Sequence, residues 1–470
     1  MFENSIILKI LSKVGMWFST QFENSMLINQ FLTPKDKEEN VEKSIFYKLF
    51  YGIIGVFRKI FAFLKLDKLF DGSIYRFSFL WCMIAVVFAP VIPTMAVLLI
   101  AVVGFGSLFL DLICSKDRKL KYTSLNKYIY FYAFAYIYAT LTSVTVKGSL
   151  LGGMLTALFV LFFIVLINSV ETRKQLHYMM FFMIGMGVLV SLYGFYQFMF
   201  PDKFTSVWHD KDMFTDISFR VYSTLENPNV LGEYFLLIIP FGVAYMFNGN
   251  TLLKKLFFAG CTGVMMLCLI LTYSRGCYLG LLFSAVVFLV LYDNRFIWLG
   301  IVGILLLPFV LPETIINRFM SIGNMSDSST SYRVYIWLGT IAMLKDYWLC
   351  GVGPGIDAFN MVYPAYAFNS ISAPHSHNLF LQIICDTGIV GFILFVAVIY
   401  QYYKLSLSAL KNEKDKKFRV YNIAGISAVT GFMVQSMSDY TFYNYRVTFL
   451  FWVVLGIGVL FAKFADIREA

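Results

Sequence analysis

The sequence predicts an all-α integral membrane protein, and three observations lead there. Hydrophobic residues fill 59% of the 470 positions and charged residues only 14%, against about a quarter charged in soluble domains. Apolar runs close to the roughly twenty residues needed to cross a bilayer recur along the chain. Short basic segments punctuate them with a regular alternation, the pattern that orients helices in a membrane. The expected architecture is about twelve transmembrane helices, with a large extracytoplasmic loop before the tenth.

By run length the spans fall near 76–93, 94–113, 125–143, 149–168, 178–200, 229–247, 255–273, 276–292, 295–311, 379–403, 420–438 and 444–462. Counted this way, SKDRKLKY (115–122), ETRKQ (171–175), LLKK (252–255) and KNEKDKKFR (411–419) all fall on one side. The positive-inside rule makes that side the cytoplasm and places both termini there. The opposite side receives two long loops, 201–228 and 312–378, and loops of such length are usually functional. Four parts follow: a region 1–75, a membrane domain 76–311 with spans one to nine, a catalytic loop 312–378, and a membrane domain 379–470 with the last three spans and a cytoplasmic tail. Within the first part Ile45, Leu49, Ile53, Phe57, Ile60 and Leu64 recur at helical spacing, with Lys48, Gly52, Gly55 and Lys59 on another face. That is the pattern of a basic amphipathic helix lying on the inner leaflet.

Composition excludes several function classes. The net charge of +10 is accounted for by loops on the inner side, so no nucleic-acid partner is expected. The seven cysteines are scattered without CxxC pairs, which argues against a disulfide framework and a zinc site. The opening MFENSIILKILSKVGMWF shows no clean cleavage site for a signal peptide.

Chemistry gathers outside the apolar runs. Of only four histidines, His375 and His377 stand together in APHSHNLF at the mouth of the tenth span. A helix from His377 to Tyr403 would be about 40 Å long, longer than the roughly 30 Å hydrocarbon core, so its N-terminal end should reach headgroup level. A helix N-terminus favours a neutral imidazole, which is a competent general base, and also attracts phosphate. Two alternatives stand beside that reading. His377 and Asn378 could simply cap the helix. His375 and His377 would face apart on a helix but could share a metal in an extended segment, given a third ligand. Arg275, in LTYSRGCYLG, lies at an outer junction, where a lone arginine would ordinarily be an interfacial anchor. Arg333, in SSTSYRVYIWLG, falls in the first turn of a helix, where a cation opposes the dipole and calls for an anion. Together the two arginines could clamp a diphosphate with their planar forks. GVGPG (351–355) reads as a turn, and HDKD (209–212) as a solvated loop with a divalent-ion site as the alternative.

These residues carry a resemblance. His377, Asn378, the nine residues LFLQIICDT, Gly388 and Gly391 reproduce in full the His-[Asn/Ser/Gln]-x9-Gly-x-x-Gly motif of the bacterial O-antigen ligase and O-antigen polymerase superfamily. ENPNVLGEY (226–234), SRG (274–276) and RVYIW (333–337) resemble that superfamily's other segments, in the same order. The likeness covers residues 220 to 400. It implies a fold related to the GT-C membrane glycosyltransferases and a bacterial plasma (inner) membrane location with the active site on the extracytoplasmic face. It further implies a donor glycan on undecaprenyl diphosphate and an acceptor hydroxyl on a glycan, lipid or protein. His377 would be the catalytic base and Arg275 and Arg333 the diphosphate ligands, in an inverting transfer with no metal and no cofactor. Asn378, Asn227 and Asn229 are positioning or substrate-binding candidates, as is His375, which has no counterpart in the motif. The competing expectation is a multispan transporter of a small ion or solute; transporters usually carry ionisable groups at midplane, and here Asp111, Glu233 and Asp439 fall near span ends.

Overall fold

A computed structural model of the chain describes residues 42–66, 74–115, 118–204, 219–293, 313–320 and 328–466, with isolated positions between 295 and 309. The described residues form α-helices joined by short 3-10 turns, with no strand among them. The helices are α1 (Ile45–Phe63), α2 (Ile74–Phe88), α3 (Thr94–Cys114), α4 (Asn126–Leu141), α5 (Val146–Ser169), α6 (Arg173–Met199), α7 (Pro228–Phe247), α8 (Leu252–Ile270), α9 (Arg275–Tyr292), α10 (Glu313–Met320), α11 (Ser328–Tyr347), α12 (Ile356–Val362), α13 (Leu379–Asn412), α14 (Lys416–Gln435) and α15 (Tyr445–Asp466).

Their starts are written locally. Thr172 and Gln175 form a reciprocal capping box before α6, while Thr145, Thr251 and Asp415 accept a backbone N–H at the starts of α5, α8 and α14. Each side chain satisfies a donor that the first helical turn would leave open.

Eight of these helices, α3, α5, α6, α7, α8, α9, α13 and α15, are long and apolar enough to cross a membrane. Among the described residues the expected count of twelve is therefore not reached on those criteria. The reasons are physical. α2 and α4 hold only 15 and 16 residues. α14 carries Lys416, Lys417, Arg419, Asn422 and Gln435, and it packs against protein rather than lipid, with most of its length buried. The ninth expected span, 295–311, lies largely outside the described residues.

α7 and α15 form the centre, buried over most of their length, and an aromatic stack of Phe432, Phe442, Phe451 and Trp452 fills the space between α14 and α15. Apolar surface drives little helix association where lipid is equally apolar, so close backbone approach matters more. α9 and α14 cross at Gly280 and Gly431. A Cβ on Gly280 would meet the Gly431 carbonyl at 2.6 Å, and one on Gly431 the Gly280 carbonyl at 2.7 Å.

The loops sort to two ends. At one end Arg118 pairs with Asp111 (3.0 Å) and Glu171, and Arg173 with Glu413 (2.7 Å). There Asn248 also donates to the Lys417 carbonyl (2.9 Å). The basic segments expected to share a side thus do share one. α1 docks at this end too: Arg58 donates to the carbonyls of Leu112 and Ser115 while Ile45, Leu49, Ile53, Phe57 and Ile60 stay exposed. The turns 223–226, 272–275, 350–356, 374–378 and 436–444 gather at the other end.

Candidate functional site

The site begins where α13 begins. Its first helical residue is Leu379, later than expected, and the cap is Asn378: its Oδ1 accepts the Leu381 N–H (3.0 Å) and its Nδ2 donates to the Met437 carbonyl (2.8 Å). His377 is thereby left outside the helix, at φ +48°, a left-handed conformation that costs a non-glycine residue about 1–3 kcal/mol unless its surroundings fix it. They do. The Trp337 indole donates to the His377 carbonyl (3.2 Å), and the His377 N–H donates to His375 Nδ1 (3.2 Å). Alongside, the Ser376 N–H donates to Gln382 Oε1 (2.8 Å). The expectation that His375 points away from His377 is corrected here. The segment is not helical, and the two rings lie 4.2 Å apart.

His377 Nδ1 stands 3.1 Å from Asp439 Oδ1. A carboxylate at Nδ1 sets the tautomer with the proton there and leaves Nε2 as the basic nitrogen. Asp439 comes from the turn between α14 and α15, and the sequence reading did not place it in the site. Its carbonyl accepts the Leu379 N–H (3.1 Å), which joins this turn to the start of α13. Its Oδ2 accepts from Asn229 Nδ2 (2.9 Å) and lies 3.5 Å from Arg333 Nη2. Burial works against the Asp439 carboxylate, yet the hydrogen bond from His377 and the charge of Arg333 outweigh it and hold the carboxyl below its usual range. Burial pushes His375 down to about 3, so it remains a neutral acceptor.

The remaining segments explain their own spacing. Asn227 caps α7, accepting the Asn229 N–H (2.8 Å), and Pro228 opens the helix. Asn229 then reaches Asp439 while its Oδ1 accepts from Arg220 Nη2 (2.9 Å), so the amide is oriented from both sides. Arg220 also donates to the Thr272 carbonyl (2.8 Å), tying this array to the turn before α9. Arg333 sits in the second turn of α11, one turn later than expected, and Asp439 is the anion its position called for. Its Nη1 donates to Ser329 Oγ (2.7 Å), while its Nε is buried with no hydrogen-bond partner. Trp337 follows four residues on, on the same helix face, so one face of α11 touches both members of the His377–Asp439 pair.

Arg275 opens α9 half-buried, after Tyr273 at φ +50°. Next to it Gly276 packs on Gln435 and Ser438, where a Cβ would overlap the Gln435 side chain. Arg275 therefore stands beside the turn that delivers Asp439. HDKD lies outside the described residues.

The motif glycines act on α13 itself. Gly388 has φ +70° and ψ −174°, a break inside the helix, and a Cβ there would overlap the Leu349 carbonyl. The Ile389 N–H donates to the Trp348 carbonyl (2.8 Å) and the Val352 N–H to Cys385 O (2.6 Å). GVGPG is the expected turn, with Gly351, Gly353 and Gly355 all at positive φ. This seam holds the end of α11, the helix that sets Arg333 on Asp439 and Trp337 on His377, against α13.

The structure thus unites His377, His375, Asn378, Arg333 and Asn229 around Asp439, with Asn227 as a cap and Arg275 at the margin. Asp439 and Arg220 escaped the sequence reading. The one usable signal was that Asp439 is the only acidic residue between 416 and 465.

Residues 260–396 match the family model described as O-Antigen ligase. A protein of Rickettsia felis named "Putative polysaccharide ligase" is 25% identical over 170 residues, 34% of this chain and 38% of that protein. The chain thus spans under two fifths of that relative's length. The matched segment contains Arg275, Arg333, His377, Gly388 and Gly391, but neither Asn229 nor Asp439.

Proposed function

We propose that this multi-pass membrane protein, whose residues 260–396 match the O-Antigen ligase family model, is a glycosyltransferase of that superfamily. It transfers or polymerises glycan from a polyprenyl-diphosphate donor, of the undecaprenyl type, onto an acceptor hydroxyl. The observation that carries this reading is the His377–Asp439 pair at 3.1 Å with Arg333 on the second carboxylate oxygen.

In the reaction His377 Nε2 takes the proton of the acceptor hydroxyl as its oxygen attacks the anomeric carbon of the donor sugar. The new C–O bond forms opposite the departing bond, which gives inversion, and the bonding pair leaves on the diphosphate oxygen. Asp439 fixes the ring and stabilises the imidazolium until the proton is released. Arg333, with a buried Nε lacking a protein acceptor, and Arg275 take up the charge that develops on the diphosphate. Two guanidinium groups supply that charge stabilisation without a metal, and no cofactor enters the scheme. Asn229 and Asn378 position Asp439 and the histidine loop rather than the substrate.

The end bearing Arg118, Arg173 and Lys417 is the cytoplasmic one by the positive-inside rule, which puts both termini there and the histidine end on the extracytoplasmic face of the plasma membrane. The loop 312–378 is then the catalytic loop between membrane domains 76–311 and 379–470, and α1 lies along the inner leaflet. The test is purified protein given a polyprenyl-diphosphate glycan and candidate acceptors, with products resolved by mass spectrometry. Glycan joined to an acceptor is the expected result. An intact donor with every acceptor would reject the assignment.

A further inference from the structure

Contacts across the site run in the order Arg333, Asp439, His377, His375, Tyr443. Beyond Tyr443 an open cleft of about 460 Å³ leads outward, and Tyr443, Tyr445 and Ile356 line both it and a smaller void of about 40 Å³ that touches His375. The cleft lies within the roughly 300–1,000 Å³ usual for ligand pockets.

Its walls carry a specific chemistry that nothing in the transfer reaction described above uses. Arg446 is almost fully buried, with Nη1 donating to the Thr224 carbonyl (3.1 Å) and Nη2 3.4 Å from Glu226 Oε1. The Glu226 side chain is 84% exposed, and its backbone is held at φ +68°. A carboxylate is thus displayed over the cleft from a strained residue, and a guanidinium is anchored beneath it. The Tyr443 ring is 42% exposed and lies 4.9 Å from the His375 ring. A carboxylate accepts from sugar hydroxyls, a guanidinium donates to sugar oxygens, and a tyrosine face covers the apolar side of a pyranose.

We propose that this cleft is the acceptor subsite and that it binds a hydroxyl-rich saccharide, the inference resting on the glycosyltransferase reading. Direction supports acceptor over donor. An inverting displacement brings the acceptor in opposite the departing diphosphate, and the cleft opens past His375, at the far end of the contact order from Arg333.

The test is direct binding. Methyl glycosides of common hexoses and N-acetylhexosamines are presented to the full-length protein in detergent and followed by saturation-transfer NMR. Wild type should bind at least one glycoside. Glu226→Gln and Tyr443→Ala should each weaken it by about tenfold or more, while Tyr443→Phe, which keeps the ring, restores it. Since Glu226 is exposed, its variant separates lost binding from lost folding. No bound glycoside in wild type, or equal binding in Glu226→Gln and Tyr443→Ala, overturns the subsite. Failure of the reaction itself reads differently: the glycosides bind as expected, but no product forms from a polyprenyl-diphosphate donor.

Discussion

At the basic end of the bundle Arg173 reaches Glu413 and the Phe464 carbonyl, each at 2.7 Å, and Arg118 spans Asp111, Glu171 and the Asn168 carbonyl. Every one of those contacts joins two stretches of chain, and each charge is matched by a neighbour that faces it. At the opposite end one carboxylate, Asp439, is shared by His377, Asn229 and Arg333. The histidine is held in a left-handed conformation and the arginine keeps a buried Nε without a partner. The first arrangement gives each arginine carboxylates of its own, whereas the second gathers three side chains on a single carboxylate. Burial of charge is common to both ends. A left-handed histidine and a carboxylate shared by three side chains set the second arrangement apart as the candidate site.

The sharpest way to break this contrast is at the convergent end. His377→Ala should lower transfer by about a hundred- to ten-thousand-fold, the usual range for a positioned base, with folding retained. Asp439→Asn should lie within the same range, because the ring loses the partner that selects its tautomer. His377→Asn should not rescue turnover, since Asn378 already caps α13. Initial rates on purified protein decide all three, and a normal rate in His377→Asn would end the base assignment.

Next in size are Arg333→Lys and Arg275→Lys. Each keeps its charge and loses its fork, and each should reduce turnover by about ten- to a hundredfold. Unchanged rates would make the two arginines anchors. Glu413→Ala should do the reverse of the site variants. It leaves Arg173 short of a partner and should cost about 1–3 kcal/mol of stability, discounted for the partial exposure of the pair. Thermal unfolding would show the loss, while turnover per folded molecule stays near wild type.

The smallest effect expected is one of pH. His375 is lowered in the folded state, so between the ordinary imidazole value of about 6.5 and its folded value the unfolded chain binds the extra proton. Stability should therefore fall as pH drops below about 6.5, by about 1–2 kcal/mol on reaching pH 5. Asp439, lowered as well, contributes stability that is lost only below about pH 4, so the two windows separate. In His375→Gln the slope between pH 6.5 and 5 should flatten, and a slope identical to wild type would exclude His375 as its source.

The helices and the motif were legible because both are local. Run length found α3, α5, α6, α7, α8, α9, α13 and α15, and the His-Asn-x9-Gly-x-x-Gly spacing found the histidine and the helix break. Asp439 was not legible because its role arises from four segments meeting: the turn after α14, the start of α7, the second turn of α11 and the stretch that leads into α13. No spacing within one segment encodes that meeting. His375 was misjudged because helical geometry was extended three residues back past the Asn378 cap, into a segment whose turn is set by Trp337 and Gln382. Among the described residues fewer than twelve helices meet the length and hydropathy criteria, because α2 and α4 are short and buried α14 tolerates polar residues that hydropathy penalises.

The seam at Gly388 has a consequence for how such a protein can be re-engineered. The segment 348–352 is fastened to α13 by Ile389 N–H to Trp348 O and Val352 N–H to Cys385 O, atoms that every non-proline residue possesses. Attachment is therefore indifferent to most side chains on the loop, provided positions 351 and 388 both stay bare. Loop sequences could be exchanged between relatives like interchangeable heads on a common handle, changing what the loop presents while its attachment to α13 is kept.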